Sequence, residues 1–113
     1  MMPRIGKIEN GRVHINGAPV TDSFFLHPRG FELLEKSQKI AKKDFERALL
    51  HEPEIAVFGV GFHGKIKIDQ SVLDGAKKQK IDVHVLPSEA AIKKFQEFAR
   101  AGKKVVAHIH IGE

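Results

Sequence analysis

Cysteine, tryptophan and tyrosine are all missing from these 113 residues. Without cysteine there can be no disulfide, no thiolate nucleophile and no Cys-based zinc site, and a reducing compartment is the simplest home. Without Tyr or Trp, an aromatic platform for stacking nucleotide bases is thin. Nowhere does an apolar run approach the roughly 18 residues that a spanning helix needs. The first residues, Met1 to Arg4, form neither an apolar signal core nor an Arg- and Ser-rich transit segment. A soluble, cytoplasmic protein with no membrane partner is therefore expected. Internal repeats and low-complexity tracts are absent as well.

What is present is ordinary in bulk: 42% hydrophobic and 29% charged residues. A chain this long folds as one domain, 1–113, and can bury a core without staples. The net charge of +5 raises the question of nucleic acid. Its lysines are spread along the chain, often beside Asp or Glu, so a solvated Lys-rich surface is expected and nucleic acid is not.

Patterning divides the chain in two. In residues 1–30, Asn10-Gly11 and Asn16-Gly17 are hairpin signals, because a type I′ turn needs positive φ at both central positions. They separate three predicted strands, about Arg4–Glu9, Arg12–Ile15 and Val20–His27. A bulge near Gly6 reconciles Ile5 with Ile8. Residues 31–34 read equally as a strand or a helical turn, and Glu35–Lys39 as a surface connection. Residues 42–111 then alternate: a helix over Lys42–His51, a strand over Ile55–Phe58, an arm over Lys65–Asp69, and a helix over Gln70–Lys80. A strand over Ile81–Leu86, a helix over Glu89–Ala101 and a strand over Val105–Ile111 complete the series. Alternation of this kind predicts an α/β domain with a mixed, mostly parallel sheet flanked by helices, and an N-terminal antiparallel meander.

The stretch Ile55–Gly64 carries the most chemistry. A strand runs straight into Gly59, Gly61 and Gly64, which spell G-x-G-x-x-G, a pattern that lets backbone approach a phosphate. A dinucleotide site also needs the third glycine in the first turn of a helix. Here Lys65–Asp69 intervenes, so no nicotinamide or flavin cofactor is expected, and the glycines are read as an abrupt strand exit. The second strand exit, Leu86-Pro87-Ser88-Glu89, opens a helix with Ser88 as N-cap and Glu89 in the first turn. If the two strands are parallel neighbours, Gly59, Gly61, Phe62, His63, Gly64, Ser88 and Glu89 line one crevice beyond their carboxyl ends, where open α/β sheets bind ligands. No orienting third group or G-x-S-x-G elbow accompanies Ser88 and His63, so no catalytic residue is assigned.

Three blocks together resemble the adipogenesis-associated domain family: Ile55–Gly64, Val83–Ala91, and Phe95-Gln96 through Arg100–Ala107. Gly6-Lys7-Ile8, Asn16-Gly17 and Asp22 fit it too. The family is a group of small uncharacterised α/β proteins that includes a mitochondrial respiratory complex I assembly factor. The resemblance implies a compact mixed-sheet domain and a leaning toward assembly and interaction; it supplies no catalytic residues. The family's usual Thr is Ser88 here, and its usual Asn is Gln96.

Seven histidines are many for this length. His108 and His110 share one face of the last strand, and His84 would approach them only if its strand were adjacent. No metal is expected from such spacing. Two readings of function follow. In the first, the chain is a non-enzymatic interaction or assembly-type domain with a protein partner or a second copy. In the second, it is an enzyme or binding protein for a small anionic metabolite, using the crevice at Gly59–Gly64 and Leu86–Glu89.

Overall fold

The computed structural model describes residues 3–9, 11–35 and 37–112. A five-stranded sheet divides the molecule into two layers. Its strands are β4 (Phe24–His27), β5 (Gly30–Leu33), β7 (Ile55–Val60), β9 (Asp82–Leu86) and β10 (Val105–His110), in the order β5-β4-β10-β7-β9. β10, β7 and β9 run parallel, while β4 and β5 join antiparallel. The sheet is thus evenly split rather than mostly parallel. Two pairings cause this: β4 joins β10 antiparallel, and Gly30–Leu33, most of it read equally as strand or helical turn, pairs as β5 with β4 across the Pro28-Arg29 turn.

β1 (Ile5–Glu9), β2 (Arg12–Ile15) and β3 (Ala18–Val20) make a separate antiparallel sheet. The register shifts between Ile5 and Ile8, which is the bulge that the spacing demanded. Asn16 and Gly17 both take positive φ at the second hairpin, at 53° and 86°. Asn10 of the first hairpin lies outside the described residues. The predicted third strand, Val20–His27, is in fact two, since Thr21–Ser23 bends the chain from β3 in the meander to β4 in the central sheet. The arm after the glycine turn contributes only β8 (Lys67–Ile68), which pairs in parallel with β6 (Lys39–Ile40).

Three helices, α1 (Lys42–Leu49), α2 (Gln70–Lys78) and α3 (Ser88–Arg100), cover the sheet. Because side chains alternate across a strand, the sheet feeds two cores. Val57, Ala107 and Ile109 face α3 and the meander, packing with Ala91, Ile92 and Phe95 and with Val13 and Ile15. Phe25, Phe58 and Val106 face α1 and α2, packing with Phe45, Ala48, Val72 and Ala76.

Gly75, an unfavourable residue inside a helix by propensity, has a packing cause. A Cβ there would stand 2.8 Å from Cε2 of the buried Phe45 ring on α1. A further polar pair lies in this layer. Asp44 accepts a hydrogen bond from the Ala41 N–H at 2.8 Å, capping α1, and another from Arg47 at 3.3 Å. His108, only 5% exposed, puts Nδ1 3.9 Å from the same carboxylate, beyond hydrogen-bonding distance. That nitrogen has no hydrogen-bond partner among the described residues. Burial pulls the His108 pKa down to about 4, against the upward pull of Asp44 and with Arg47 and His110 adding to the fall. The ring is therefore neutral at pH 7, and its approach to Asp44 is not an ion pair.

Two measurements probe this layer. Replacing Gly75 with Ala gains up to about 1 kcal/mol of helix propensity but forces the Phe45 ring to move, at a cost of about 1–3 kcal/mol. Urea denaturation should show a net loss. As pH falls from about 6.5 toward 4, the unfolded chain takes up a proton that folded His108 refuses, so stability present above pH 6.5 drains away over that window. Between pH 7 and 4 the wild type should lose up to about 3 kcal/mol more than His108→Gln. Parallel pH profiles for the two proteins would contradict a buried neutral imidazole.

Candidate functional site

β7 is buried along its whole length, and its register with β9 sets Gly59 opposite Leu86. The two strand exits therefore emerge side by side, and the sequence-predicted residues gather there in two groups. Gly59, Gly61, Phe62 and Ser88 interlock. Ser88, 0% exposed, is the first residue of α3; Pro87 takes the cap position instead. The Ser88 hydroxyl looks inward, accepting from the Gly61 N–H at 2.9 Å and donating to the His110 carbonyl at 2.5 Å. The Ser88 N–H donates to the Gly61 carbonyl at 2.9 Å. A Cβ on Gly59 would stand 3.0 Å from the Ser88 Cα and 3.2 Å from the Ala91 Cβ, so the strand must carry glycine for α3 to start where it does. Gly61, at φ +92°, turns the chain away. The Phe62 N–H donates to the Gly112 carbonyl, and its half-buried ring packs on the α3-side core.

His63, Gly64 and Glu89 form the outer group, all exposed. Gly64, at φ +70°, closes the turn by donating to the Gly61 carbonyl. Glu89 pairs with Lys93 one helical turn on, at 3.3 Å. The backbone amides of Gly61, Phe62, Gly64 and Ser88 are thus all spent on protein carbonyls or the Ser88 hydroxyl, and Ser88 as a nucleophile would have to break two hydrogen bonds to backbone first.

An opening lies one strand over, around the end of β10. Two depressions of about 600 Å³ and 530 Å³ share Ser37, Gln38 and His110. The first is also lined by Asp22 and Ser23, the second by Lys65 and Lys67. The Ser23 hydroxyl accepts from the Ile111 N–H at 3.0 Å, fixing the end of the strand at the floor. The alternation of Lys65 and Lys67 within the arm was legible in the sequence. The position of Ser37 and Gln38 was not, because they belong to an irregular connection whose path no periodicity reports.

His84 stands apart from His108 and His110. β7 separates β9 from β10, and His84, opposite Val57, lies on the α3 side against Phe98 while its Nε2 meets Asp82 at 3.0 Å. The three imidazoles do not assemble. No helix among the described residues is long and apolar enough to cross a membrane.

Similar folds occur among solved structures. A conserved hypothetical protein, PH1505 from Pyrococcus horikoshii OT3, superposes with a TM-score of 0.85 at 20% identity, over 97% of this chain and 99% of that one. A protein named MT938 matches at 0.80 and 24% identity, over 98% of this chain and 99% of its own. A Bordetella pertussis protein described as a Mth938-like domain matches at 0.79 and 13% identity, over 98% and 87%. At these identities the likeness establishes the fold and nothing further. A family model, described as a protein of unknown function (DUF498/DUF598), matches residues 5–110. That match spans nearly every element described above, and the chain belongs to this family.

Proposed function

We propose that this protein is a non-enzymatic binding domain whose docking site is the groove at the end of β10, and that it recognises an anionic group. The observation that carries the reading is the convergence of Lys65, Lys67, His110, Ser37 and Gln38 on one opening beside the carboxyl ends of two parallel strands. Two ammonium groups beside the Gln38 amide suit a phosphate or carboxylate, and the net charge of +5 draws anions toward the molecule. Asp22, on the far side of the shared wall, opposes a large polyanion and favours a compact ligand. The inward-facing Ser88 supports binding over nucleophilic chemistry. A cytoplasmic setting belongs to the same proposal.

In a thermal-shift titration with inorganic phosphate, citrate and ATP, one of these should raise Tm by roughly 5–10 °C at ten times its Kd. Lys65→Ala/Lys67→Ala, both on an exposed arm, should lose the shift while keeping the ligand-free Tm. Flat curves for all three anions would refute the anion site.

A second reading, assembly through the sheet edge, rests on a different observation. β9 is one of the two edge strands of the sheet, and Val85 on it is 41% exposed. An unpaired edge carrying exposed apolar side chains is a template for another strand, and a second copy of β9 would extend the sheet across a two-fold axis. The resemblance to the adipogenesis-associated domain family, with its assembly-factor member, leans the same way. Sedimentation velocity at tens of micromolar protein should show a dimer that Val85→Lys converts to monomer. A wild type that stays monomeric at that concentration refutes this reading.

A further inference from the structure

We infer that His27, Glu32 and His51 form a binding site for a divalent transition-metal ion, with zinc the best fit. The site lies on the α1 side of the β4–β5 hairpin and is independent of the anion groove.

The hairpin register places two of the ligands. His27 pairs with Gly30 at the turn, and Glu32 pairs with Phe25 two residues further in. Strand alternation then puts Phe25, His27 and Glu32 on one face, the face that α1 covers. The third ligand comes from the end of α1. The His51 N–H donates to the Ala48 carbonyl at 3.1 Å in the helix's closing turn, which swings the ring over the sheet. The two imidazoles lie stacked, with centroids 4.5 Å apart and planes 21° from parallel, and His51 also rests on Phe25 at 5.3 Å.

One ligand atom from each residue lies within 4.8 Å of the other two. Ligands of tetrahedral zinc at 2.0–2.1 Å stand about 3.3 Å from one another. The rings must therefore tilt out of their stack and the groups draw in by up to about 1.5 Å. Nothing rigid opposes this, since both histidines are half-buried and Glu32 is exposed. The Arg29 N–H reaches His27 Nδ1 at a long 3.3 Å, and coordination costs only that one weak hydrogen bond whichever ring nitrogen binds.

The surroundings leave room and charge for a cation. A cavity of about 700 Å³ opens over the three residues, and Glu46, Lys43 and Arg47 also border it. Arg47 is already held by Asp44, while Glu46 offers a second carboxylate. Two imidazoles and a carboxylate, with a fourth position open to the cavity, match known zinc donor sets. Magnesium and calcium, which need several oxygen ligands, do not fit.

The test uses the full untagged chain, stripped with EDTA and dialysed against Zn²⁺, with metal counted by mass spectrometry and affinity measured by competition with a chromogenic chelator. One zinc per chain is expected, along with a Tm that rises on loading. His27→Ala, His51→Ala and Glu32→Gln should each weaken binding by about 10- to 100-fold, whereas His63→Ala should leave it unchanged. Glu32→Gln, at the exposed surface, keeps the test decisive if a histidine variant folds poorly. Co²⁺ substitution should give the intense visible bands of a tetrahedral site. The assignment is overturned by less than stoichiometric uptake, or by uptake that survives all three substitutions.

Discussion

The start of α3 is pinned to the sheet by one residue, Ser88, through its hydroxyl and its N–H, and much of the molecule depends on that pin. Ser88 ties the exit of β7, through Gly61, to the end of β10, through the His110 carbonyl, while opening the helix that crosses over both. Each buried hydrogen bond is worth about 1 kcal/mol, but a donor or acceptor left unpaired there would cost about 1–3 kcal/mol. The arrangement is possible only because Gly59 presents no Cβ. With α3 seated this closely, Ala91, Ile92 and Phe95 reach the sheet and seal the larger of the two cores.

The opposite layer is built on a different compromise. Here the imidazole of His108, from the sheet, and the carboxylate of Asp44, from α1, are buried in a largely apolar layer. Asp44 is accounted for, because it caps α1 and holds Arg47. His108 gains little from its neighbour and stays neutral, so it is tolerated as a flat ring beside Phe58 rather than as a charge. The same helix that Asp44 anchors delivers His51 to the hairpin at its far end. A polar residue at one end of α1 and a ligating residue at the other are thus coupled through eight residues of rigid backbone.

The legibility of the chain follows the nature of each signal. Where periodicity was strong, the reading matched: all three helices and the strands β7, β9 and β10 stand within a few residues of where spacing put them. Val20–His27 misled because apolar alternation cannot report that a strand changes sheets, and only the bend at Thr21–Ser23 does so. Ser88 was read as a cap because its sequence position suits one; its true partners, Gly61 and His110, lie 27 and 22 residues away and leave no local mark. His27, Glu32 and His51 escaped notice for the same reason. Two sit on a hairpin and one on a helix end, and their meeting depends on tertiary packing that spacing does not encode.

The topology explains why the opening lies beside β10. From β7 the chain leaves through α2 on one face of the sheet, and from β9 it leaves through α3 on the other. Adjacent parallel strands whose connections part to opposite faces create a crevice between them, which here falls at Gly59 and Leu86. α3 must pass back over β7 to reach β10, and with so short a connection its first residue settles into that seam. β10 carries no such burden: no helix follows it among the described residues, and its other neighbour, β4, runs antiparallel. Beside the end of β10, the Thr21–Ser23 bend, Ser37-Gln38 and the Lys65–Lys67 arm border two open depressions. Seating one helix by a single serine packs its first residue onto Gly59 in the seam of the parallel sheet, while the depressions described above lie at the boundary between the parallel and antiparallel halves.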